Sequence, residues 1–177
     1  LDTGAMYRSI AYALINKNVD IDDKNAVENG VDNISLNVEY IDGIQKMFAD
    51  GNDITDKIRT AQISMGASKV AVVKKVRDKL VTMQRAVANK YDIIMDGRDI
   101  GTTVLPDADY KFYITASSAE RAKRRYAETQ DKSSTSLEKI EAEIKQRDYN
   151  DMHREFSPLC KAEDAILIDT THMTVEE

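Results

Sequence analysis

Arginine and aspartate recur in this chain at spacings that suit the capture of a polyanion. Arg8 falls one turn inside a helix expected to begin after Thr3, and Arg98 and Asp99 follow Asp96 in IIMDGRDIGT, residues 93–102. Ser117 and Glu120 form a capping box, and on the helix it opens Arg121, Arg124 and Arg125 stand at 0, +3 and +4, on or near one face. An apolar stripe of Leu137, Ile140 and Ile144 leads through KIEAEIKQRDYNDMHREFSP, residues 139–158, and continues in the same rhythm as Arg147, Asp151 and Arg154. A seam that starts apolar and ends Arg–Asp–Arg would bury charge at high cost if nothing answered it. Guanidinium groups converging on one crevice are matched best by phosphate, which they can grip with two parallel hydrogen bonds. Each cluster also has a plainer explanation when taken singly. RxxRR suits a solvated helix face, DGRD suits a turn with an incidental ion pair, and the seam suits a helix that leaves the core at Gln146.

Composition narrows the ligand. The net charge of −6 argues against a dedicated nucleic-acid surface, which would be basic, so the arginines call for a local explanation. With 42% apolar and 32% charged residues over 177 positions, the chain reads as one soluble globular domain with room for a small insert. The single cysteine, Cys160, rules out an internal disulfide and fits a reducing compartment as a small helix-end or core residue. His153 and His172 are too far apart for zinc-ligand spacing. No apolar run approaches the ~18 residues of a membrane span, and no signal-peptide pattern opens the chain. The expectation is a cytoplasmic monomer that engages small molecules, with neither nucleic acid nor membrane as partner.

The elements that must position these residues follow from periodicity and punctuation. Thr3 is expected to cap a helix with Met6, Ile10, Ala13 and Leu14 on its inner face. A short helix is expected in DDKNAVENGVDNI. Leu36, Val38 and Tyr40 alternate before the turns Asp42-Gly43 and Asp50-Gly51, which predicts a small antiparallel hairpin insert. Helices are predicted over 55–89, with Val73, Val76, Leu80, Met83 and Val87 on one face. Strands are predicted in YDIIMDGRDIGT, YKFYIT and AEDAILIDTT, and a polar loop over 131–136. Strands alternating with helices imply an α/β fold with a mostly parallel sheet flanked by helices, in which ligands bind beyond the carboxyl ends of the strands.

Taken together, LDTGAMYR, DGRDIGTTVLPDAD, ASSAERAKRRY, EIKQRDYNDMHREFSPL and AEDAILIDTT closely resemble, in order and over essentially the whole chain, the bacterial-type cytidylate kinases of the P-loop nucleoside-monophosphate kinase group. The resemblance implies transfer of the γ-phosphoryl of ATP to CMP or dCMP with Mg2+, a nucleotide-binding insert near 30–60 and a lid near 120–136. It implies contact of Thr3 and Arg8 with the acceptor nucleotide, with Arg8 and Arg98 as phosphate clamps. Ser68, Arg77 and Asp99 match the positions that read cytosine, and Arg147 and Asp151 those that hold the sugar. Arg154 and Arg124 match positions facing the transferred phosphoryl, and Asp96 would orient the metal through water. Cytosine offers an amine donor and a ring-nitrogen acceptor, so an acid–arginine pair such as Asp99 and Arg77 suits it. The alternatives are a kinase for another small monophosphate and a non-catalytic pyrimidine-nucleotide-binding module.

The donor-site signature G-x-x-x-x-G-K-[ST] does not occur in these 177 residues. The resemblance places it upstream of LDTGAMYR and continues beyond TVEE into a further helix, so both ends are expected to be trimmed. Residues 1–177 expressed alone are therefore expected to show no kinase turnover, which ATP-dependent phosphorylation of CMP by that purified chain would contradict.

Overall fold

The computed structural model describes residues 1–128, 136–174 and 176–177. It divides into two compact units, Leu1–Ile100 and Gly101–Glu177, described here in turn.

The first unit is built on α1 (Thr3–Asn16), which buries Met6, Ile10, Ala13 and Leu14 as their spacing predicts. Its cap differs from the expectation. Asp2, not Thr3, closes the helix, because the Asp2 carboxylate accepts from the Ala5 N–H at 2.7 Å. The Thr3 hydroxyl is drawn away by a distant acceptor and donates to the Asp96 carbonyl at 2.6 Å. Asp23 caps α2 (Lys24–Val31), whose Val27 and Val31 face the core. The antiparallel hairpin forms as β1 (Leu36–Ile41) and β2 (Ile44–Ala49), and β3 (Asn52–Asp53) adds to the β2 edge. Both turns have the paired left-handed residues of tight hairpins, Asp42-Gly43 at φ 53° and 76° and Asp50-Gly51 at φ 50° and 80°.

The helix expected from residue 55 starts later. The Asp53 carboxylate accepts from both the backbone N–H and the hydroxyl of Thr55, and this local turn holds the chain out of helix. Thr60 then caps α3 (Ala61–Val70), which packs on α1. On α4 (Lys74–Ala88) the buried face carries Val76 and Leu80 as predicted, but also Arg77 and Gln84, while Met83 and Val87 are only partly covered. The strand predicted at 93–96 is a further correction. It forms a single parallel bridge between Asp2 and Asp96, since only Leu1–Thr3 run beside it before α1 begins.

In the second unit β4 (Phe112–Thr115) and β5 (Ile166–Asp169) pair in parallel, Phe112 opposite Ile166 and Thr115 opposite Asp169. The Ser117 hydroxyl accepts from the Glu120 N–H and so opens α5 (Ser118–Glu128). Ser136 caps α6 (Leu137–His153), which packs along α5. Most of the loop predicted over 131–136 lies outside the described residues. The extended parallel sheet of the prediction is seen only as far as this pair of strands and the one bridge. Phe112, Ile114, Ile166 and Leu167 each remain more than half exposed, at 57, 68, 55 and 58%, whereas strands of a wholly parallel sheet are covered on both faces. The described residues are mixed helix and strand, with a small parallel and a small antiparallel sheet.

One packing contact in the first unit makes a sign prediction. A methyl group at Gly30 would come within 2.7 Å of Leu14 Cδ2. Gly30→Ala alone should therefore lower stability or gain nothing, despite alanine's helix advantage of about 1 kcal/mol. Leu14→Ala should cost about 2–5 kcal/mol, and Gly30→Ala added to it should restore part of that loss by filling the vacated space. Urea denaturation of the four proteins checks this; an equal effect of Gly30→Ala in both backgrounds would contradict it.

Candidate active site

In the first unit the predicted residues of three separate segments meet. The chain from Leu1 to Thr3 lies beside 94–96, with the Asp96 N–H donating to the Leu1 carbonyl at 3.1 Å and the Thr3 N–H to the Asp96 carbonyl at 3.2 Å. Gly97 permits this approach, since a Cβ there would stand 2.5 Å from Thr3 Oγ1 and 2.8 Å from Ile100 Cδ1. Arg8, one turn into α1, folds back and donates from Nη2 to the Asp2 carboxylate at 2.7 Å. The Asp96 carboxyl is pushed above the usual carboxylate range, first by desolvation and then by the neighbouring Asp2 carboxylate. Two acids beside one arginine make a second full negative charge at this corner of the unit costly. Arg98 is exposed immediately after.

Asp99 turns inward from the same loop and forms a buried ion pair with Arg77 of α4, the two side chains only 7% and 4% exposed. Arg77 Nη1 also donates to the carbonyl of Ala71, the residue that ends α3, at 3.3 Å. The Tyr7 ring lies under the guanidinium, 5.7 Å from its carbon to the ring centroid. Ser68 is half-buried on α3, three residues before Ala71. A guanidinium has five N–H donors and a carboxylate two acceptor oxygens, so this pair has more hydrogen-bonding capacity than its mutual bond uses.

In the second unit the seam of α6 persists to the helix end. Ile140 and Asp151 are buried, Ile144, Arg147 and Arg154 partly so, and the helix runs on past Gln146 to His153. Asp151 sits between the two arginines, its oxygens 3.9 Å from Arg147 Nε and 3.9 Å from Arg154 Nη1. Arg154 is the residue at which helix gives way to extended chain, and its Nε donates to the Ser157 carbonyl at 2.6 Å. Arg124 is held elsewhere, by Glu120 at 3.0 Å and by the carbonyl and hydroxyl of Thr170 just past β5. Arg121 grips both oxygens of Asp148 at 3.1 and 2.6 Å, which fastens α5 to α6 and raises the guanidinium's hold on its proton.

Sequence reasoning missed Asp2, Tyr7 and Asp148. Each stands beside a predicted residue, but its role as a partner of Arg8, Arg77 or Arg121 shows only once the chain is folded. Asp2 had one usable signal, an aspartate immediately before the first helical residue, which is a favoured cap position.

The model of the cytidylate kinase family matches residues 1–177. A cytidylate kinase of Lactobacillus johnsonii is 47% identical, with all of this chain matched to 77% of that protein. One from Caldicellulosiruptor saccharolyticus is also 47% identical, covering all of this chain and 79% of its own length. Matched over its whole length by the family model and by these kinases, the chain belongs to the cytidylate kinase family.

Proposed function

We propose that this protein transfers the γ-phosphoryl group of ATP to CMP or dCMP, and that the first unit supplies the contacts that choose the acceptor. The observation that carries the reading is the buried Arg77–Asp99 pair in a chain of this family. An Asp99 oxygen would accept from the exocyclic amine of cytosine, and Arg77 would donate to its ring acceptors. Uracil reverses both groups and would leave buried polar atoms without partners. Ser68, on the helix whose end Arg77 touches, would complete this pocket. Thr3, Arg8 and Arg98 would meet the acceptor phosphate, and Arg147 and Asp151 the sugar.

The acceptor phosphate is largely dianionic near neutral pH and needs no strong base to attack. What the protein must supply is alignment and positive charge. Arg154 would balance the charge of the phosphoryl group in transit. Arg124 would join it after exchanging Glu120 and Thr170 for phosphate oxygens; the lid expected near 120–136 lies in part outside the described residues. Among the described residues no three His, Cys, Asp or Glu side chains are grouped to hold a metal. Mg2+ is commonly held by one or two carboxylates, waters and substrate phosphates. Asp96, with its raised carboxyl beside Asp2, would hold the ion through water, and the ion when bound would neutralise donor-phosphate charge.

The reading is tested by turnover of CMP, dCMP and UMP with ATP, measured on the full gene product. CMP and dCMP should be strongly preferred, and equal use of UMP would overturn it. Asp99→Asn should erode the cytosine preference at least about tenfold in kcat/KM, and it should also destabilise the fold by leaving Arg77 with a neutral partner.

The two arginines of the α6 seam should separate kinetically. Arg154→Ala should lower kcat by about 10²–10⁴, and Arg147→Ala should chiefly raise KM for CMP. Steady-state kinetics with ATP saturating checks this, and an unchanged kcat in Arg154→Ala would leave the residue a structural helix end.

A further inference from the structure

Asp2 occupies a join where its backbone needs partners on a second side. The bridge to 94–96 uses the carbonyl of Leu1 and the N–H of Thr3. In such a pairing the N–H and carbonyl of the residue between them face the opposite way. One side chain from β2 answers both. The Asp2 N–H donates to Gln45 Oε1 at 2.8 Å, and Gln45 Nε2 donates to the Asp2 carbonyl at 3.1 Å. The glutamine amide thus takes the place of a neighbouring strand for this one residue. It is steadied in turn by Met47, whose sulfur accepts from Nε2 at 3.3 Å, and by the Tyr40 hydroxyl, which donates to Oε1 at 3.4 Å. The Asp2 side chain then divides its oxygens between the Ala5 N–H and Arg8, both at 2.7 Å.

We propose that Gln45 is a positioning residue of the acceptor site, fixing the Asp2 carboxylate that aims Arg8 by pairing with both backbone groups of Asp2. This rests on the reading of Arg8 as a phosphate clamp. Gln45 itself meets no reacting atom. Its residue type follows from the task, because a primary amide offers a donor and an acceptor on one planar group, as a peptide does. Glutamate would set a third carboxylate near Asp2 and Asp96 and lose the donor. An aliphatic side chain would leave the Asp2 N–H and carbonyl unanswered.

The consequence is specific to the phosphate end of the ligand. Gln45→Met removes both bonds at nearly constant volume. Calorimetric binding of CMP and of cytidine to the full gene product, in the Arg8 and Arg8→Ala backgrounds, reads the effect. CMP affinity should fall about tenfold in Gln45→Met, while cytidine affinity changes by less than about twofold. In the Arg8→Ala background Gln45→Met should have no further effect on CMP. Equal losses for CMP and cytidine, or losses that add fully to those of Arg8→Ala, would overturn the proposal and leave Gln45 a purely structural residue. Arg8→Ala that binds CMP normally would overturn the reading of Arg8 and this inference with it. Should Gln45→Met not fold, Gln45→Asn keeps a neutral amide one methylene too short to reach both Asp2 groups well, and should give the same pattern at smaller size. Amide exchange supplies an independent check: the Asp2 N–H should be protected in the unmodified protein, and its rapid exchange there would refute the proposal.

Discussion

The guanidinium of Arg77 is almost wholly removed from solvent, and the first unit is arranged around that fact. A buried cation costs several kcal/mol unless an anion and further acceptors meet it with good geometry. Asp99 supplies the anion, the Ala71 carbonyl a second acceptor and Tyr7 an aromatic face. To deliver Asp99, the loop at 96–100 must return to α4, and the chain just before it then lies beside Leu1–Thr3. To deliver Ala71, α3 must end where α4 begins. To deliver Tyr7, α1 must present that side of its first two turns. Three helices and a loop are thereby indexed to one charge, which is the kind of geometric selection buried ion pairs serve better than they serve stability.

The second unit meets the same constraint with other partners. Asp151, 7% exposed, is flanked by Arg147 and Arg154, and Arg121 is matched by Asp148 across the α5–α6 contact. On a chain of net charge −6, Arg8, Arg77, Arg121, Arg124, Arg147 and Arg154 are each held near an acid of their own unit. An incoming phosphate would compete with Glu120 and Asp151 for guanidinium groups they already engage. On the proposed function, binding there would be an exchange of anions, its free energy a difference between two sets of charge-assisted hydrogen bonds.

At Asp2 several needs converge on one residue. It caps α1, pairs with Arg8, bridges to Asp96 and has its remaining backbone groups answered by Gln45. The Asp96 carboxyl beside it is raised, first by desolvation and then by the Asp2 carboxylate. Gly97 belongs to the same arrangement, because any side chain there would strike Thr3.

Much of this was legible in the sequence where the deciding neighbours lie within a few residues. The tight turns at Asp42-Gly43 and Asp50-Gly51, the cap at Ser117, the inner face of α1, the strands at 112–115 and 166–169 and the charged seam of α6 all follow from local chemistry. The list of arginines and acids was legible too, and so was the family. The pairings were not. Thr3 is a good cap by type, yet its hydroxyl goes to a carbonyl 93 residues away. Gln84 is polar by type, yet it is buried on α4 where Met83 was expected. Nothing near Arg124 in sequence marks Thr170 as its partner, yet its guanidinium donates to that carbonyl 46 residues away. Turn propensity and helix periodicity depend on adjacent backbone dihedrals, which the order of residues determines by itself. Which acid answers which arginine depends on distances between segments tens of residues apart, and only the tertiary structure decides those.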